Sequence, residues 1–304
     1  MTQEQTAGLE LGQQLIPQRR SRRGLVAIGR HLRRDKRSLI GLIVLIIIVL
    51  MAITAPVSAP YSPFDQIYDR LESPSIGHPL GTDDLGRDLL SRIMHGARIS
   101  LLVALVSVTL AGAIGITLGL VGGYYGGWVD MLVMRYIDLQ WAFPNLIIAI
   151  ALLAIRGAGL ENVIAAITLA YIDDFARVVR GMVLANREED YVLAARAIGA
   201  SDLRLMLKHI MPNSLAPVLV QASVLVAGAV LFEASLSFLG LGVSPETPTW
   251  GLILNDARAF ITSAWWFGIF PGVAIIMLVL SINFVGDGFR DFMDVRDYGP
   301  GVAG

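Results

Sequence analysis

Residues 38–64 read SLIGLIVLIIIVLMAITAPVSAPYSPF, a stretch without a single charged side chain. Its first part, Leu39–Ala55, is almost entirely aliphatic. A helix needs about 20 apolar residues, at a rise of about 1.5 Å each, to cross the hydrocarbon core of a bilayer. The stretch therefore predicts a transmembrane helix over Leu39–Ala55. Pro56, Pro60 and Pro63 are expected to end this helix just outside the membrane.

The segment before this helix is strongly basic. Nine Lys and Arg residues precede Ser38, against three acidic residues, Glu4, Glu10 and Asp35. A basic run binds nucleic acid in some proteins, but a run that abuts an apolar span is typical of a cytoplasmic anchor. We therefore expect residues 1–38 to form a basic cytoplasmic tail, with no nucleic-acid partner. The apolar segment starts late and is long, so a cleaved signal peptide is not expected.

The composition also indicates a membrane protein. Of the 304 residues, 55% are hydrophobic and 16% are charged, and the mean hydropathy is +0.63. Soluble domains are about 25% charged, so much of this surface is expected to face lipid. The chain has no cysteine, which excludes disulfides and thiolate chemistry. The four histidines have no ligand-like spacing, so no metal site is expected: they are His31, His78, His95 and His209.

Five further apolar stretches predict five more transmembrane helices. They cover Ile99–Val121, Met131–Ile155, Asn162–Val183, Pro212–Leu236 and Phe260–Phe284. Asn162–Val183 is the weakest of them, because four charged side chains interrupt its second half. Pro144 is expected to kink the Met131–Ile155 helix. The sequence thus predicts an all-α integral membrane protein of about six transmembrane helices with both termini in the cytoplasm.

This topology divides the chain into four regions. After the basic tail, residues 39–98 hold the first transmembrane helix and an extracytoplasmic segment. Residues 99–290 form the transmembrane core, and residues 291–304 form a cytoplasmic C-terminal tail. Within the core, residues 184–212 are expected to be a cytoplasmic loop.

Shorter patterns predict local structure between and within the spans. Thr82–Ser91 is expected to be an interfacial helix, with Thr82 as its N-cap. Gly122–Gly127 predicts a tight cytoplasmic turn with interfacial tyrosines; a phosphate-binding loop would need a nearby lysine and a preceding strand. Gly115 and Gly119 are four residues apart in the second span, which favours close helix packing.

The cytoplasmic loop has the most informative pattern. It predicts a helix over Glu188–Ile198, a break at Gly199, and a second helix over Asp202–Ile210 that Ser201 can cap, with Pro212 opening the next span. The small side chains of Ala194, Ala195 and Ala197 form a surface that another protein could approach closely. Such an element either seats in a partner's groove or lies on the membrane surface, and the residues alone do not separate these readings.

Ionisable residues within predicted spans are candidates for a functional site. Asp173 and Arg177 lie one helical turn apart, so a structural pair between them is expected. Asp174 lies beside them, and Glu233 follows an apolar run. These four residues are candidates for lining or gating a pathway. For Glu233 the favoured alternative is a position at the outer interface, beside the turn at residues 235–242.

Several motifs, taken in order, resemble one family. Residues 194–199 and 209–213, AARAIG and HIMPN, resemble the EAA loop of bacterial ABC importer permeases. Four more motifs resemble the dipeptide/oligopeptide permease family: GTDDLGRD at 81–88, GYYGG at 123–127, LSFLGLG at 236–242 with PTWG at 248–251, and GDGFRD at 286–291. The resemblance extends from about residue 39 to residue 294. Two departures from the family pattern are Leu193, where a glutamate often stands, and the Asp173–Asp174 pair.

The resemblance implies the permease fold of type I ABC importers and a place in the bacterial cytoplasmic (inner) membrane. It implies a second homologous permease, two ATPase subunits and an extracytoplasmic solute-binding protein as partners. ATP and Mg would bind those ATPase subunits, with no cofactor on this chain. The coupling residues implied are Ala194, Ala195, Arg196, Gly199, Ala200, Ser201 and Pro212.

Neither lysine, Lys36 or Lys208, follows a glycine, so the chain has no P-loop and is not expected to be an enzyme. Di- or oligopeptides are the implied cargo. The alternatives are a nickel complex or glutathione, and, less favoured, an ion-coupled secondary transporter.

Overall fold

The computed structural model describes residues 35–297, and the regular elements in this range are helices. They are α1 Lys36–Ser58, α2 Leu89–Tyr125, α3 Gly127–Trp141, α4 Asn145–Arg156, α5 Leu160–Asn186, α6 Asp190–Ala197, α7 Asp202–Phe238, α8 Trp250–Ala257 and α9 Trp265–Asp297. A short 3₁₀ helix, Arg258–Phe260, follows α8. Most of the basic N-terminal tail and the last part of the C-terminal tail lie outside the described residues.

Four helices of the described range are long and apolar enough to cross a membrane: α1, α2, α7 and residues 265–291 of α9. The pair α3–α4 makes a fifth if the two are counted as one span. Helix α5 has 27 residues, but it carries the charged side chains noted above and is not among these candidates. The prediction of an all-helical chain with several apolar spans is therefore confirmed. The count of six and the cytoplasmic termini stay predictions.

Helix α5 packs along α2 through a row of glycines. A Cβ added at Gly115 would lie 2.5 Å from the carbonyl oxygen of Ile172, and one at Gly119 would lie 2.6 Å from that of Ala176. Both distances are well below van der Waals contact, so only glycine lets the two backbones come this close. The predicted close packing at this spacing is confirmed.

The predicted single span Met131–Ile155 is broken. Helices α3 and α4 meet at 87° across residues 142–144. Pro144 takes the N-cap position of α4 with extended backbone, ψ 133°, and a proline also disfavours helix in the residue before it, here Phe143. The side chain of Gln140 donates to the Leu169 carbonyl at 2.6 Å, and that of Asn145 donates to the Ala170 carbonyl at 2.9 Å. These two bonds fix the elbow against α5.

The predicted helix over Thr82–Ser91 is wrong. Residues 82–88 form a compact loop closed by a bridge between Thr82 and Asp88, and α2 begins at Leu89. Asp88 is the N-cap of α2, and its side chain accepts from the Ser91 amide at 2.8 Å. Gly86 has a φ of +74°, which a regular helix cannot contain. The Asp83 carboxylate accepts from the backbone amides of Leu85 and Arg87. In a helix the Arg87 amide would instead donate to the Asp83 carbonyl.

At its other end α2 runs further than predicted. The glycine-rich stretch at 122–127 is helical up to Tyr125, and only Gly126 and Gly127 form the turn into α3, with φ values of +65° and +52°. Gly122 and Gly123 are buried inside α2. The end of α2 is thereby brought close to the loop at residues 184–212, the position from which the candidate site is built.

Candidate functional site

The loop at residues 184–212 has the predicted helix–glycine–helix form. Helix α6 ends before Gly199, which has a φ of +85°, and α7 starts at Asp202. The Gly199 amide donates to the Arg196 carbonyl and the Ala200 amide donates to the Ala195 carbonyl, each at 3.0 Å. This pair of bonds is the Schellman motif, in which the residue after the helix takes the left-handed conformation that favours glycine. The backbone at this position therefore favours glycine.

The second half of the loop is continuous with the next long helix. Ser201 lies at the N-cap position of α7, but its side chain makes no capping hydrogen bond. Helix α7 then contains a π-helical segment, Leu205–Ile210, before the α-helical part from Met211. Pro212 lies at the start of that α-helical part, as predicted. No break separates it from the loop, so a displacement of the loop's second limb acts on α7 directly.

The outward surface of the loop differs from the predicted one. Ala195 is buried together with Val192, and both belong to the same apolar cluster as Leu205 and Ile210. Ala195 therefore packs into this chain, and its predicted place on a surface for a partner is wrong. Exposed residues around the glycine include Ala194, Arg196, Ala197, Ile198, Gly199, Ser201 and Leu203. Ile198 is 88% exposed and Leu203 is 63% exposed, an unusual degree of exposure for two aliphatic side chains so close together.

Polar contacts tie this loop to the end of α2. The Tyr124 hydroxyl donates to Asp202 Oδ1 at 2.6 Å, and Arg196 Nη2 donates to the Tyr124 oxygen at 3.4 Å. Nearby, Arg187 Nη1 donates to the Gly123 carbonyl at 3.2 Å. The sequence predicted Tyr124 only as an interfacial tyrosine. Its contact with Asp202 could not be predicted from the local sequence, because the two residues are 78 positions apart.

The two arginines of α5 pair with carboxylates of α3. Arg180 binds Asp130 through two nitrogens, at 2.5 and 2.6 Å. Arg177 Nη2 lies 3.3 Å from Asp138 Oδ1, and its guanidinium carbon stands 4.0 Å from the centroid of the Trp141 ring. The predicted pair between Asp173 and Arg177 is therefore wrong.

Asp173 is nearly fully buried and accepts from Gln140 Nε2 at 3.0 Å. Asp173 and Asp174 line one cavity at the α3–α4 elbow. Its volume is about 320 Å³, and the other lining residues are Trp141, Phe143, Pro144 and Asn145. Two carboxylates and two aromatic rings around one cavity suit a positively charged group. Arg177 is not among the lining residues, so the structure brings together only two of the four predicted pathway candidates.

Glu233 lies elsewhere, on α7 where this helix contacts α2. Its side chain is fully buried and accepts from Ser100 Oγ at 2.9 Å and from Ser237 Oγ at 2.8 Å. These hydroxyl donors satisfy the carboxylate inside the bundle. Glu233 therefore joins two helices inside the bundle. Its predicted position at the outer membrane interface, beside the turn at residues 235–242, stays a prediction.

A second cluster of charges lies at the opposite end of α2. Asp83 is buried and accepts from Arg87 Nε at 2.5 Å and also from Arg92. Both arginines stand 3.7 Å from Asp256 of α8. Burial raises the pKa of Asp84 and of Asp256, and the neighbouring carboxylates raise both further. Among residues 35–297 no group of three or more potential ligands could hold a metal ion.

Comparison with known families agrees with these motifs. The family described as binding-protein-dependent transport system inner membrane component matches residues 115–296, a range that contains the loop, the elbow cavity and Glu233. The chain belongs to this family. The N-terminal transmembrane domain of oligopeptide transport permease C matches residues 27–74 of this inner membrane component. The resemblance inferred from the motifs is confirmed.

Relatives of this inner membrane component are similar over most of their length. The dipeptide transport system permease protein DppC of Alkalihalophilus pseudofirmus is 45% identical over 269 residues, 88% of each chain. The di/tripeptide transport system permease protein DppC of Pseudomonas aeruginosa is 44% identical over 86% of this chain and 89% of its own. The glutathione transport system permease protein GsiD of Pectobacterium atrosepticum is also 44% identical, over 88% of this chain and 89% of its own.

A solved structure shares the fold. A chain of the methionine ABC transporter MetNI in an inward-facing conformation superposes with a TM-score of 0.54 and 20% sequence identity. The match covers 67% of this inner membrane component and 96% of the MetNI chain. This match confirms the predicted permease fold.

Proposed function

We propose that this permease forms half of a translocation pathway for di- and oligopeptides, driven by separate ATPase subunits. The observation that carries the proposal is the exposed tip of the helix–glycine–helix loop, with Ile198 and Leu203. A soluble loop of this kind with two exposed aliphatic side chains suits docking in a groove of another protein. The relatives named for dipeptides and di/tripeptides support the substrate class.

In this proposal the loop transmits the work of the ATPase subunits. Ala194, Arg196, Gly199 and Ser201 are exposed and would contact the ATPase. The buried Ala195 and the half-buried Ala200 would shape the loop from within, and Pro212 would open the α-helical part of α7. ATP and Mg would bind the partner subunits, and this chain would bind no cofactor. Closure of the ATPases would move α6 and the start of α7, and the bundle would alternate between inward- and outward-open forms.

The proposed assembly contains three other kinds of subunit. A second homologous permease would complete the pathway, two ATPase subunits would bind the loops, and an extracytoplasmic binding protein would deliver the peptide. The complex would lie in the bacterial cytoplasmic membrane, with lipid against the exposed isoleucines of α1, such as Ile47 and Ile53. The family description, which names dependence on a binding protein, supports this assembly.

The elbow cavity is proposed to line the pathway. Asp173 and Asp174 face it together with Trp141 and Phe143, and this combination suits the ammonium group of a peptide's amino terminus. Arg177 and Glu233 are less suited to contact cargo, because Arg177 is held by Asp138 and Glu233 is enclosed by two serines. For these two residues the contacts support a structural role.

Glutathione is a second candidate cargo, because a relative with 44% identity is named for its transport. A nickel complex and an ion-coupled mechanism are the remaining alternatives. Uptake measurements with the complete complex distinguish the four candidates, which are peptides, glutathione, a nickel complex and an ion-coupled mechanism. The tagged chain would be purified from its native membrane with its bound subunits, reconstituted in proteoliposomes, and given labelled dipeptides, tripeptides, glutathione or nickel chelates.

We expect ATP-dependent uptake of the short peptides, and co-purification of ATPase subunits and a second permease. Uptake of glutathione or nickel alone would replace the peptide assignment but retain the ATP-driven mechanism. Accumulation that follows an ion gradient without ATP, in a chain isolated alone under conditions that preserve a control ABC complex, would overturn the proposal.

A further inference from the structure

Two side chains of the coupling loop converge on one hydroxyl group. The Tyr124 hydroxyl donates to Asp202 Oδ1 at 2.6 Å and accepts from Arg196 Nη2 at 3.4 Å. The guanidinium carbon of Arg196 also stands 5.8 Å from the centroid of the Tyr124 ring. Arg196 lies in the last turn of α6 and Asp202 is the first residue of α7. One tyrosine therefore contacts both limbs of the loop, on either side of Gly199.

The backbone joins the loop to α5 and to α7, but it does not join the loop to α2. Tyr124 is the second-last residue of α2, a helix of 37 residues. A motion of the loop reaches α2 through side-chain contacts or through α5. The Tyr124 hydroxyl supplies such a contact at the point where the loop, α2 and α5 meet, since the neighbouring Gly123 carbonyl accepts from Arg187 at the end of α5.

Helix α2 is a single helix of 37 residues that runs from the coupling loop to the opposite end of the bundle. It packs closely against α5 at Gly115 and Gly119. Its far end holds Arg92, which is buried in the ionic cluster with Asp83 and Asp256. A displacement of Tyr124 along the helix axis would thus reach the opposite end of the bundle.

We propose that Tyr124 is a positioning residue that makes α2 follow the coupling loop, through hydrogen bonds of its hydroxyl to Asp202 and Arg196. The proposal rests on the proposed function, because it assumes that ATPase subunits move the loop. It goes beyond the proposed function because it names Tyr124 as the side chain that passes the movement to α2. It also requires the hydroxyl group of Tyr124 and not only the ring.

The first test is the Tyr124→Phe variant, which keeps the ring and removes the hydroxyl. Peptide uptake and ATP hydrolysis are measured together in proteoliposomes with the complete complex. The ratio of peptide imported to ATP hydrolysed is expected to fall about fivefold, the change that loss of one ordinary hydrogen bond brings. ATP hydrolysis and the amount of bound ATPase should stay unchanged. The matched control is Tyr125→Phe, since Tyr125 is exposed and its hydroxyl makes no hydrogen bond within the described residues.

Variants of the acceptor make the test specific. Asp202→Asn keeps an oxygen that can accept from Tyr124 and is expected to retain most of the coupling ratio, whereas Asp202→Ala should lower it as Tyr124→Phe does. The double variant Tyr124→Phe with Asp202→Ala should be no worse than either single one. Additive losses, an equal fall in uptake and ATP hydrolysis, or an unchanged ratio would each overturn the role of Tyr124.

A distance measurement separates this proposal from the proposed function. The chain has no cysteine, so spin labels can be placed at Thr117→Cys on α2 and Arg204→Cys on the loop, both at exposed positions. The distance between them should be the same with and without ATP in the otherwise unchanged complex, and it should change with ATP in Tyr124→Phe. A distance that does not change with ATP in either the unmodified or the Tyr124→Phe complex would overturn the proposed link between the loop and α2. Lack of ATP-dependent peptide uptake by the unmodified complex would overturn the proposed function instead.

Discussion

Gly199 shows how one residue can decide the form of a loop. Its φ of +85° lies in the left-handed region, and a Cβ there would meet nothing within 4 Å. A substitution is therefore penalised by backbone conformation and not by crowding, at a cost of about 1 to 2 kcal/mol for most residues. Asparagine tolerates this conformation better than other side chains do.

We expect Gly199→Asn to retain most ATP-driven uptake, Gly199→Ala to lose part of it, and Gly199→Val to lose most. The order follows the cost of the left-handed conformation, and the variants should still insert in the membrane. This order is tested by measuring uptake per inserted chain and the co-purification of ATPase subunits for each variant. Gly181→Ala is the matched control, because Gly181 is equally open but has no positive φ. Equal uptake by the Val and Asn variants would contradict the argument.

Asp174 is the residue at which the cargo is best tested. Asp174→Asn is expected to reduce uptake of peptides with a free amino terminus by about tenfold, the effect of losing a charge-assisted bond. Uptake of amino-acetylated peptides should change much less. Asp138→Asn serves as the control, since Asp138 pairs with Arg177 and lies outside the elbow cavity. A similar loss for both kinds of peptide would favour a structural role for Asp174.

At the scale of elements, the contact between α2 and α5 depends on glycine. Gly119→Ala would place a Cβ 2.6 Å from the Ala176 carbonyl oxygen, and the backbone there cannot move aside as a flexible side chain could. Overpacking of this kind costs about 1 to 3 kcal/mol. We therefore expect a lower melting temperature of the purified chain in detergent. Gly272→Ala in α9 is the control, since a Cβ there meets nothing within 4 Å, and an equal shift in both variants would contradict the expectation.

At the scale of the whole molecule, the ionic cluster joins α2, α8 and the preceding loop. Burial raises the pKa of Asp256 and of Asp84 above the ordinary value of 3.8. A carboxyl group with a raised pKa holds its proton better in the folded protein than in the unfolded one. Its contribution to stability is therefore largest at low pH and decreases as the pH rises from about 3.8 through the raised pKa.

Replacement of Asp256 by asparagine should remove part of this pH dependence. We expect the melting temperature of Asp256→Asn to fall less than that of the unmodified protein between about pH 4 and pH 7, because one titrating group is gone. Scanning calorimetry or fluorimetry of both proteins in the same detergent measures the difference. Parallel profiles for the Asp256 variant and the unmodified protein would contradict this reading.

The sequence by itself determined the apolar helices and the form of the coupling loop. Apolar runs of about 20 residues seek lipid whatever their neighbours are, and the break at Gly199 is a property of one residue's backbone. The close packing at Gly115 and Gly119 was also predicted from the sequence, because their spacing puts both on one face of α2. These features depend on positions within a few turns of one another.

Only the tertiary structure decided which side chains meet. Arg177 pairs with Asp138 instead of Asp173, because α3 offers a partner that no spacing within α5 could show. Ala195 packs inward against the apolar cluster, and Tyr124 reaches Asp202 across 78 positions. The sequence predicted a kink at Pro144, but the α5 carbonyls that bind Gln140 and Asn145 at the elbow follow from the tertiary structure. Local patterns specify which residues form a helix, but the partner of a polar side chain depends on which helices come together when the chain folds.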